Sequence, residues 1–241
     1  MNFLKDKMKK IRGKLIVIDG LDGSGKATQT RLLVSRLRKE GKKVAITDFP
    51  QYYTSFFGKL VGRYLAGEFG SAKQVSPYLA SILFALDRWQ AREKMNKWLA
   101  QGRIVISNRY VSANQIHQTG KIRGKKEKAK FLKWLNDMEF RIFGIPRPNL
   151  ILFLNVPINI SRRLVVKKGS RGYIGGAKKD IHEASLSHLT DAQQQVFTLI
   201  KKYNNWHRID CVKNGQLLSR QEIHERIWQR VKLYAKKRWQ S

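Results

Sequence analysis

Short continuous apolar runs alternate along this chain with longer stretches whose apolar residues recur at helical spacing. The first run, Leu15-Ile16-Val17-Ile18, ends in Asp19 and reads as a buried strand; beyond a glycine-rich turn, Leu32, Leu33, Val34 and Leu37 mark a helix face. Lys43 to Asp48 reads as a second strand, stopped at Phe49-Pro50, and Gly58 to Gly67 as a short helix. Pro77 opens a long helix that Gly102 ends, with Leu79, Ile82, Leu83, Leu86, Trp89, Met95 and Leu99 as its expected buried stripe. Arg103 to Asn108 is a third strand. Lys126 to Ile142 predicts a helix with Phe131, Trp134, Leu135, Met138 and Ile142 on one face, and Leu150 to Val156 a fourth strand. Pro157 to Val166 has helical character, while Lys167 to Ala177 is rich in Gly, Lys and Arg without periodicity and predicts a mobile loop. Ile181 to Tyr203 predicts a long helix, His207 to Asp210 a fifth strand, and Glu222 to Trp239 a closing amphipathic helix. Such alternation predicts an α/β fold, one parallel sheet covered by helices on both faces in a single domain over 1–241. Ligands then bind beyond the carboxyl ends of the strands, which places Asp19, Asp48-Phe49-Pro50 and Asn108-Arg109-Tyr110 around one crevice.

The turn after the first strand is Gly20-Leu21-Asp22-Gly23-Ser24-Gly25-Lys26-Ala27-Thr28. Glycines at 20, 23 and 25 let the backbone curl around a phosphate, the following helix adds its positive end, and Lys26 supplies a full charge to a phosphoryl group. Strand, loop, lysine and helix stand in register, as a nucleotide site requires. GxxxxGK is ordinarily followed by a hydroxyl that ligates magnesium. Here Ala27 occupies that place and Thr28 comes one residue late.

Composition narrows the classes. The 241 residues are 42% hydrophobic, enough for a packed core, and no apolar run approaches the about 18 residues of a membrane span. The basic N-terminal stretch lacks the apolar region of a secretory signal, and the single cysteine, Cys211, forms no internal disulfide; both suit the cytoplasm. Lys+Arg number 49 against 17 acids, a net charge of +32. That field attracts polyanions and predicts nonspecific nucleic-acid binding at low salt, although there is no zinc-ligand spacing and no aromatic RNA-reading motif. His117, His182, His188, His207 and His224 show no metal-ligand spacing.

From roughly Lys14 to Val231 the chain resembles the thymidylate kinases, within the P-loop nucleoside monophosphate kinases, in the order and spacing of several separate motifs. The resemblance implies a five-stranded P-loop kinase fold with a basic lid at about 167–180, and phosphorylation of dTMP to dTDP, for dTTP synthesis, with ATP and Mg2+. It implies that Gly20 to Thr28 holds the ATP phosphates, with Lys26 on the transferring group and Asp22 near the acceptor's sugar hydroxyl. Phe49-Pro50 matches a segment beside the acceptor. Leu83-Phe84-Ala85-Leu86-Asp87-Arg88 resembles the helix that recognises thymine, Phe84 stacking on the base and Arg88 donating to its exocyclic oxygen; a guanidinium four residues after a ring shares its helical face. Arg109 matches the arginine that clamps the acceptor phosphate, and Asn114 and Gln118 match base-contacting positions. Arg163, Lys168 and Arg171 fall in the adenine-contact and lid region. A homodimer built from helices on one side is likewise implied. Asp87 is expected at the surface or in an ion pair.

The chain departs from that pattern at four places. Ala27 lacks the metal-binding hydroxyl, Asn108 replaces an aspartate, Tyr52 stands in place of a phosphate-contacting arginine, and His117 stands where an aromatic ring packs beneath the deoxyribose. Magnesium held largely by phosphates and water needs few protein ligands, so an active kinase is expected, with Asn108 and Thr28 as the metal-proximal residues. Two other readings remain open at this point: a related kinase with another acceptor, and a nucleic-acid-associated protein of the same fold with weakened catalysis.

Overall fold

The computed structural model describes residues 13–71, 74–166 and 186–238. Five strands, β1 (Lys14–Gly20), β2 (Val44–Asp48), β3 (Ile104–Asn108), β4 (Leu150–Asn155) and β5 (Trp206–Asp210), form a parallel sheet in the order β2-β3-β1-β4-β5. Parallel pairing forces each connection to cross a face of the sheet, and helices make those crossings. In register, Ile18 lies opposite Asn108, Asn108 opposite Asp48, and Gly20 opposite Leu154. The carboxyl ends of β1, β2 and β3 are thereby level, as expected.

Alternate residues of β1 serve opposite faces. Ile16 and Ile18 pack with Leu33 and Leu37 of α1 (Lys26–Lys39) and with Ile227 and Trp228 of α9 (Arg220–Arg238). Leu15 and Val17 pack toward Met95 and Leu99 of α4 (Arg92–Ala100), Ile116 of α5 (Val111–Gly120) and Val196 of α8 (Leu186–Lys202). Burying one such Leu or Ile completely is worth roughly 1.5–3 kcal/mol. Beside the sheet, α2 (Phe56–Ala66) and α3 (Pro77–Gln90) pack around Val61, Tyr64 and Ala80, and α6 (Lys125–Asp137) meets α3 at Ala85, Phe131 and Leu135. The chain runs from α6 into a π-helical turn, Met138–Ile142, and α7 (Ile158–Val166) follows β4. A small hairpin, β6 (Val212–Lys213) and β7 (Gln216–Leu217), precedes α9.

Several expectations are corrected. The long helix from Pro77 is two helices, α3 and α4, separated at Ala91, whose N–H bonds the carbonyl of Arg88 in a tightened turn. Its expected stripe holds in part: Met95 and Leu99 are buried and Ile82, Leu83 and Leu86 half-buried, but Leu79 is 62% exposed and Trp89 41%, whereas Ala80, Ser81, Ala85, Asp87 and Arg88 are buried. The inward face of α3 carries small and polar residues beside Arg88, so counting apolar residues misses part of it. Ile142 is exposed because the π-helical turn takes it out of register with Phe131 and Leu135. Helix α5, built mostly of buried polar side chains, has no apolar periodicity to announce it. The expected loop Lys167–Ala177, its extension to 180, and the first residues of the helix from Ile181 lie outside the described residues, as does most of the basic N-terminal stretch. Among the described residues no helix is long and apolar enough to cross a membrane.

Candidate active site

The glycine-rich loop joins the end of β1 to the start of α1. Gly23 adopts φ +80°, and a Cβ there would lie 2.3 Å from the carbonyl oxygen of Ser161 on α7, so the close approach of that helix admits only glycine. Gly25, at φ +86°, starts α1. Lys26 folds back over the loop: its Nζ donates to the carbonyls of Gly20 and Leu21, both at 2.9 Å, and sits 3.6 Å from the Asp22 carboxylate. Reaching a phosphate means exchanging those carbonyls for phosphate oxygens. The Ser24 hydroxyl is buried with no hydrogen-bond partner among the described residues, Ala27 is exposed and Thr28 half-buried.

Beside the loop, Phe49, Pro50, Phe84, Arg88, Arg109, Asn114, His117 and Gln118 line a single cavity with Asp22 and Tyr52. The structure thus brings together the whole expected acceptor set from four separate segments. The free space is about 40 Å³, room for a few waters, so a nucleotide enters only as the walls give way.

At one end Arg109 occupies left-handed backbone, φ 63°, held by its N–H to Ile18 (3.0 Å) and by the Ser107 hydroxyl on its carbonyl. Strain of this kind in a non-glycine residue clusters at functional sites. Its guanidinium donates to Asp22, so Lys26 and Arg109 converge on one carboxylate. At the other end Arg88, 2% exposed, donates through Nε and Nη2 to both oxygens of Glu139 at 2.7 and 2.6 Å, and through Nη1 to the Tyr110 carbonyl. Asn114 donates to the same carboxylate at 3.2 Å and to the Ser81 carbonyl. Phe84 stands edge-on to Tyr64, whose hydroxyl receives the Lys121 ammonium. The Oε1 of Gln118 is buried without a hydrogen-bond partner among the described residues.

Glu139 escapes sequence reasoning, although one signal existed: an acid set between Met138 and Phe140 in a chain with few acids. Asp87, expected at the surface or in an ion pair, is buried. It accepts from the Gln51 N–H at 2.9 Å and from the Ser55 hydroxyl, and burial pushes its carboxyl above the usual range. It pins the segment after Phe49-Pro50 to α3, whose polar side faces inward. His117 has its Nδ1 3.4 Å from Nε2 of His188, the rings stacked at 25°. Burial, then the neighbouring His188 and Arg109, holds His117 well below the usual imidazole range; burial and Lys121 bring His188 down to about 4. Arg163 is exposed on α7, away from the cavity's lining, and Lys168 and Arg171 lie outside the described residues.

For a cation, the Asn108 side chain hydrogen-bonds the Asp48 carboxylate, while its own Oδ1 is buried without a partner. Asp48 is exposed at the end of β2, yet desolvation by the groups packed around its carboxyl pushes it up, against that bond and the charges of Arg109 and Lys26. Among the described residues no group of three His, Cys, Asp or Glu is placed to hold a metal. An orphaned amide oxygen beside one carboxylate fits Mg2+, which keeps its waters and leans on substrate phosphates, rather than a metal that needs a protein cage.

The family model described as thymidylate kinase matches residues 18–223. The chain belongs to the thymidylate kinase family. Thymidylate kinase from Schizosaccharomyces pombe is 29% identical over 187 residues, 78% of this chain and 80% of that one. The Mycobacterium tuberculosis enzyme is 30% identical over 181 residues, 75% and 80% of the two chains, and the human one 28% over 216, 90% and 88%. A solved structure of thymidylate kinase from Candida albicans superposes with a TM-score of 0.67 at 22% identity, covering 92% of each chain, which shows the shared fold. Membership makes the chain a phosphotransferase that uses ATP as donor. It favours dTMP phosphorylation over another acceptor and over a binding protein that has lost catalysis.

Proposed function

We propose that the cavity receives dTMP with its phosphate at Arg109 and its base at Arg88, and that the glycine-rich loop presents the γ-phosphoryl group of ATP to it. One observation carries this reading: Lys26 and Arg109, one from each half of the site, meet at Asp22 on the line between loop and cavity. An acceptor phosphate oxygen forms its bond to the γ-phosphorus as the bond to the departing ADP breaks. The acceptor has a second pKa of about 6 and is already a nucleophile at neutral pH, so no side chain need remove a proton. Positioning and charge neutralisation are the protein's task. Lys26 follows the transferring group, Arg109 holds the acceptor phosphate, and Asp22 is freed toward the sugar hydroxyl. Arg163 is assigned to the donor side with Lys168 and Arg171 of the 167–180 lid. Mg2+, when bound, would offset phosphate charge, and Asn108 and Thr28 are the residues that would help hold it. Gly20, Gly23, Ser24, Gly25 and Ala27 complete the loop.

At the base, Arg88 donates while the unpartnered Oε1 of Gln118 accepts, a pair that suits an N–H beside a carbonyl, as on thymine. Phe84 supplies the stacking face, Asn114 and neutral His117 the remaining wall, with Phe49 and Pro50 closing it. Tyr52 replaces a charged phosphate contact by a neutral hydroxyl. A single cytoplasmic domain is the setting that fits best, paired in a homodimer through the apolar side chains that α3 leaves exposed, Leu79 and Trp89 among them.

Coupled measurement of ADP release with ATP, Mg2+ and each nucleoside monophosphate tests the reading, beside Lys26→Ala. Turnover with dTMP, abolished in the variant, is expected. Turnover confined to another monophosphate overturns the acceptor assignment, and undiminished turnover in Lys26→Ala overturns the role of the loop.

A further inference from the structure

A second concave surface lies at the opposite end of the strands from the glycine-rich loop. It is an open groove of about 900 Å³ between α6, the π-helical turn, the approach to β4 and the end of α8. Arg147 precedes β4 and Tyr203 precedes β5, so the groove sits where these strands begin, whereas the loop and acceptor cavity sit where strands end. An occupant here leaves the phosphoryl-transfer site clear.

Two features set this groove apart from the generally basic surface. The first is its charge balance. Lys133, Arg147 and Lys202 line it and take part in no salt bridge among the described residues, while its only acid, Asp137, is held by Arg141. The second is that rings alternate with these cations. Trp134, Phe140 and Tyr203 line the groove half-buried, the Arg147 guanidinium carbon lies 4.4 Å from the centre of the Phe140 ring, and the Lys202 ammonium 5.5 Å from that of Tyr203. A ring face, or a guanidinium plane carried on one as Arg147 is on Phe140, is a platform for a planar base, and the cations between them suit a phosphate backbone.

We propose that this groove binds single-stranded nucleic acid. The occupant must alternate flat apolar faces with negative charges at short intervals. An acidic peptide supplies the charges but has no use for the rings, and in a duplex the base faces are already stacked on one another. A lone nucleotide suits an enclosed pocket better than an open trough. The inference stands on different residues from the kinase site and does not depend on it.

The test is fluorescence anisotropy of a labelled oligodeoxycytidylate, whose ends carry neither thymine nor adenine, titrated with the full chain. Lys133→Glu/Lys202→Glu is compared with Arg38→Glu/Lys39→Glu on exposed positions of α1, which changes net charge by the same amount. Both pairs are exposed and should leave folding and ADP release intact. The groove pair is expected to lose about tenfold or more in affinity at ~0.1 M salt and the control pair about threefold or less, with a duplex of equal length binding more weakly than the single strand. Equal losses in both pairs, tighter binding of the duplex, or no binding by the unaltered chain overturns the proposal. So does a change of oligomeric state in the groove pair alone by sedimentation, which would make the groove an interface between copies of the chain.

Discussion

Arg88 and Glu139, 51 residues apart, form a two-pronged ion pair with both side chains almost wholly buried, and the pair joins α3 to the π-helical turn at one end of the acceptor cavity. Burying an ion pair is rarely a gain over apolar packing, because desolvation offsets the attraction. The arrangement makes sense as orientation: Glu139 fixes two guanidinium nitrogens, while Nη1 rests on the carbonyl of Tyr110, another residue of the cavity's lining. Glu139→Ala should cost about 3–5 kcal/mol, since it strands a buried guanidinium. Arg88→Met/Glu139→Leu should recover most of that stability, yet lose about 100-fold in kcat/KM for dTMP, because shape is restored without the donor. Thermal unfolding and acceptor kinetics on both variants separate the two effects; wild-type kcat/KM in the double variant would remove Arg88 from base recognition.

Asp87 acts one residue earlier, through the loop rather than the base. Its carboxylate takes the Gln51 N–H and the Ser55 hydroxyl, and Ser55 in turn accepts from Gly58 to cap α2. Asp87→Ala leaves buried donors unmet and loosens a helix cap, at a cost of about 2–4 kcal/mol. Because Phe49, Pro50 and Tyr52 of the adjoining segment line the cavity, KM for dTMP should rise while KM for ATP holds. Equal rises for both substrates would mean a general loss of structure instead.

The sheet and phosphate loop were legible because their causes are local. Strands buried on both faces must be continuously apolar, and a loop with positive φ at Gly23 and Gly25 must carry glycine there. The cavity was reached differently, through family likeness at Phe84, Arg88 and Arg109, which line it together. Its supports were not legible. Glu139, Asp87 and the buried polar face of α5 are polar residues inside a core, and hydrophobic periodicity has no means of marking them. The same cause misplaced Leu79 and Trp89 on α3, whose fully buried positions are Ala80, Ser81, Ala85, Asp87 and Arg88.

The stacked imidazoles of His117 and His188 predict acid sensitivity with a definite sign. Both are held below the ordinary imidazole range, so as pH falls through about 6.5 the unfolded chain takes protons that the folded chain refuses, and stability drops. For His188 the loss ends near its folded pKa of about 4. At about 1.4 kcal/mol per tenfold change in proton affinity, that residue alone contributes on the order of 3 kcal/mol. Asp48 and Asp87, both raised by desolvation, titrate with the opposite sign, so the informative quantity is the difference between wild type and His188→Gln. Urea midpoints at about pH 7.5, 6 and 5 should converge for the two proteins as pH falls. Parallel curves would show that His188 is free to protonate in the folded chain.

Ala27 and Asn108 make opposite predictions although each departs from the usual metal-binding pattern. Ala27 is exposed, so a hydroxyl there displaces nothing, and Ala27→Thr should lower the Mg2+ concentration for half-maximal rate by roughly threefold or more without altering stability. Asn108 is tied into its surroundings by the hydrogen bond to the Asp48 carboxylate. Asn108→Asp removes that donor and sets two carboxylates side by side, which should cost about 1–2 kcal/mol at neutral pH and raise the apparent pKa of the pair. The loss should shrink as pH falls and the two share a proton, a dependence that a mere packing defect would not show. Unfolding of Asn108→Asp at pH 7.5 and 5, with Mg2+ titrations of both variants, decides the matter. A stabilised Asn108→Asp would mean that Asp48 is already protonated in the folded chain, and that the amide is there to meet a neutral acid.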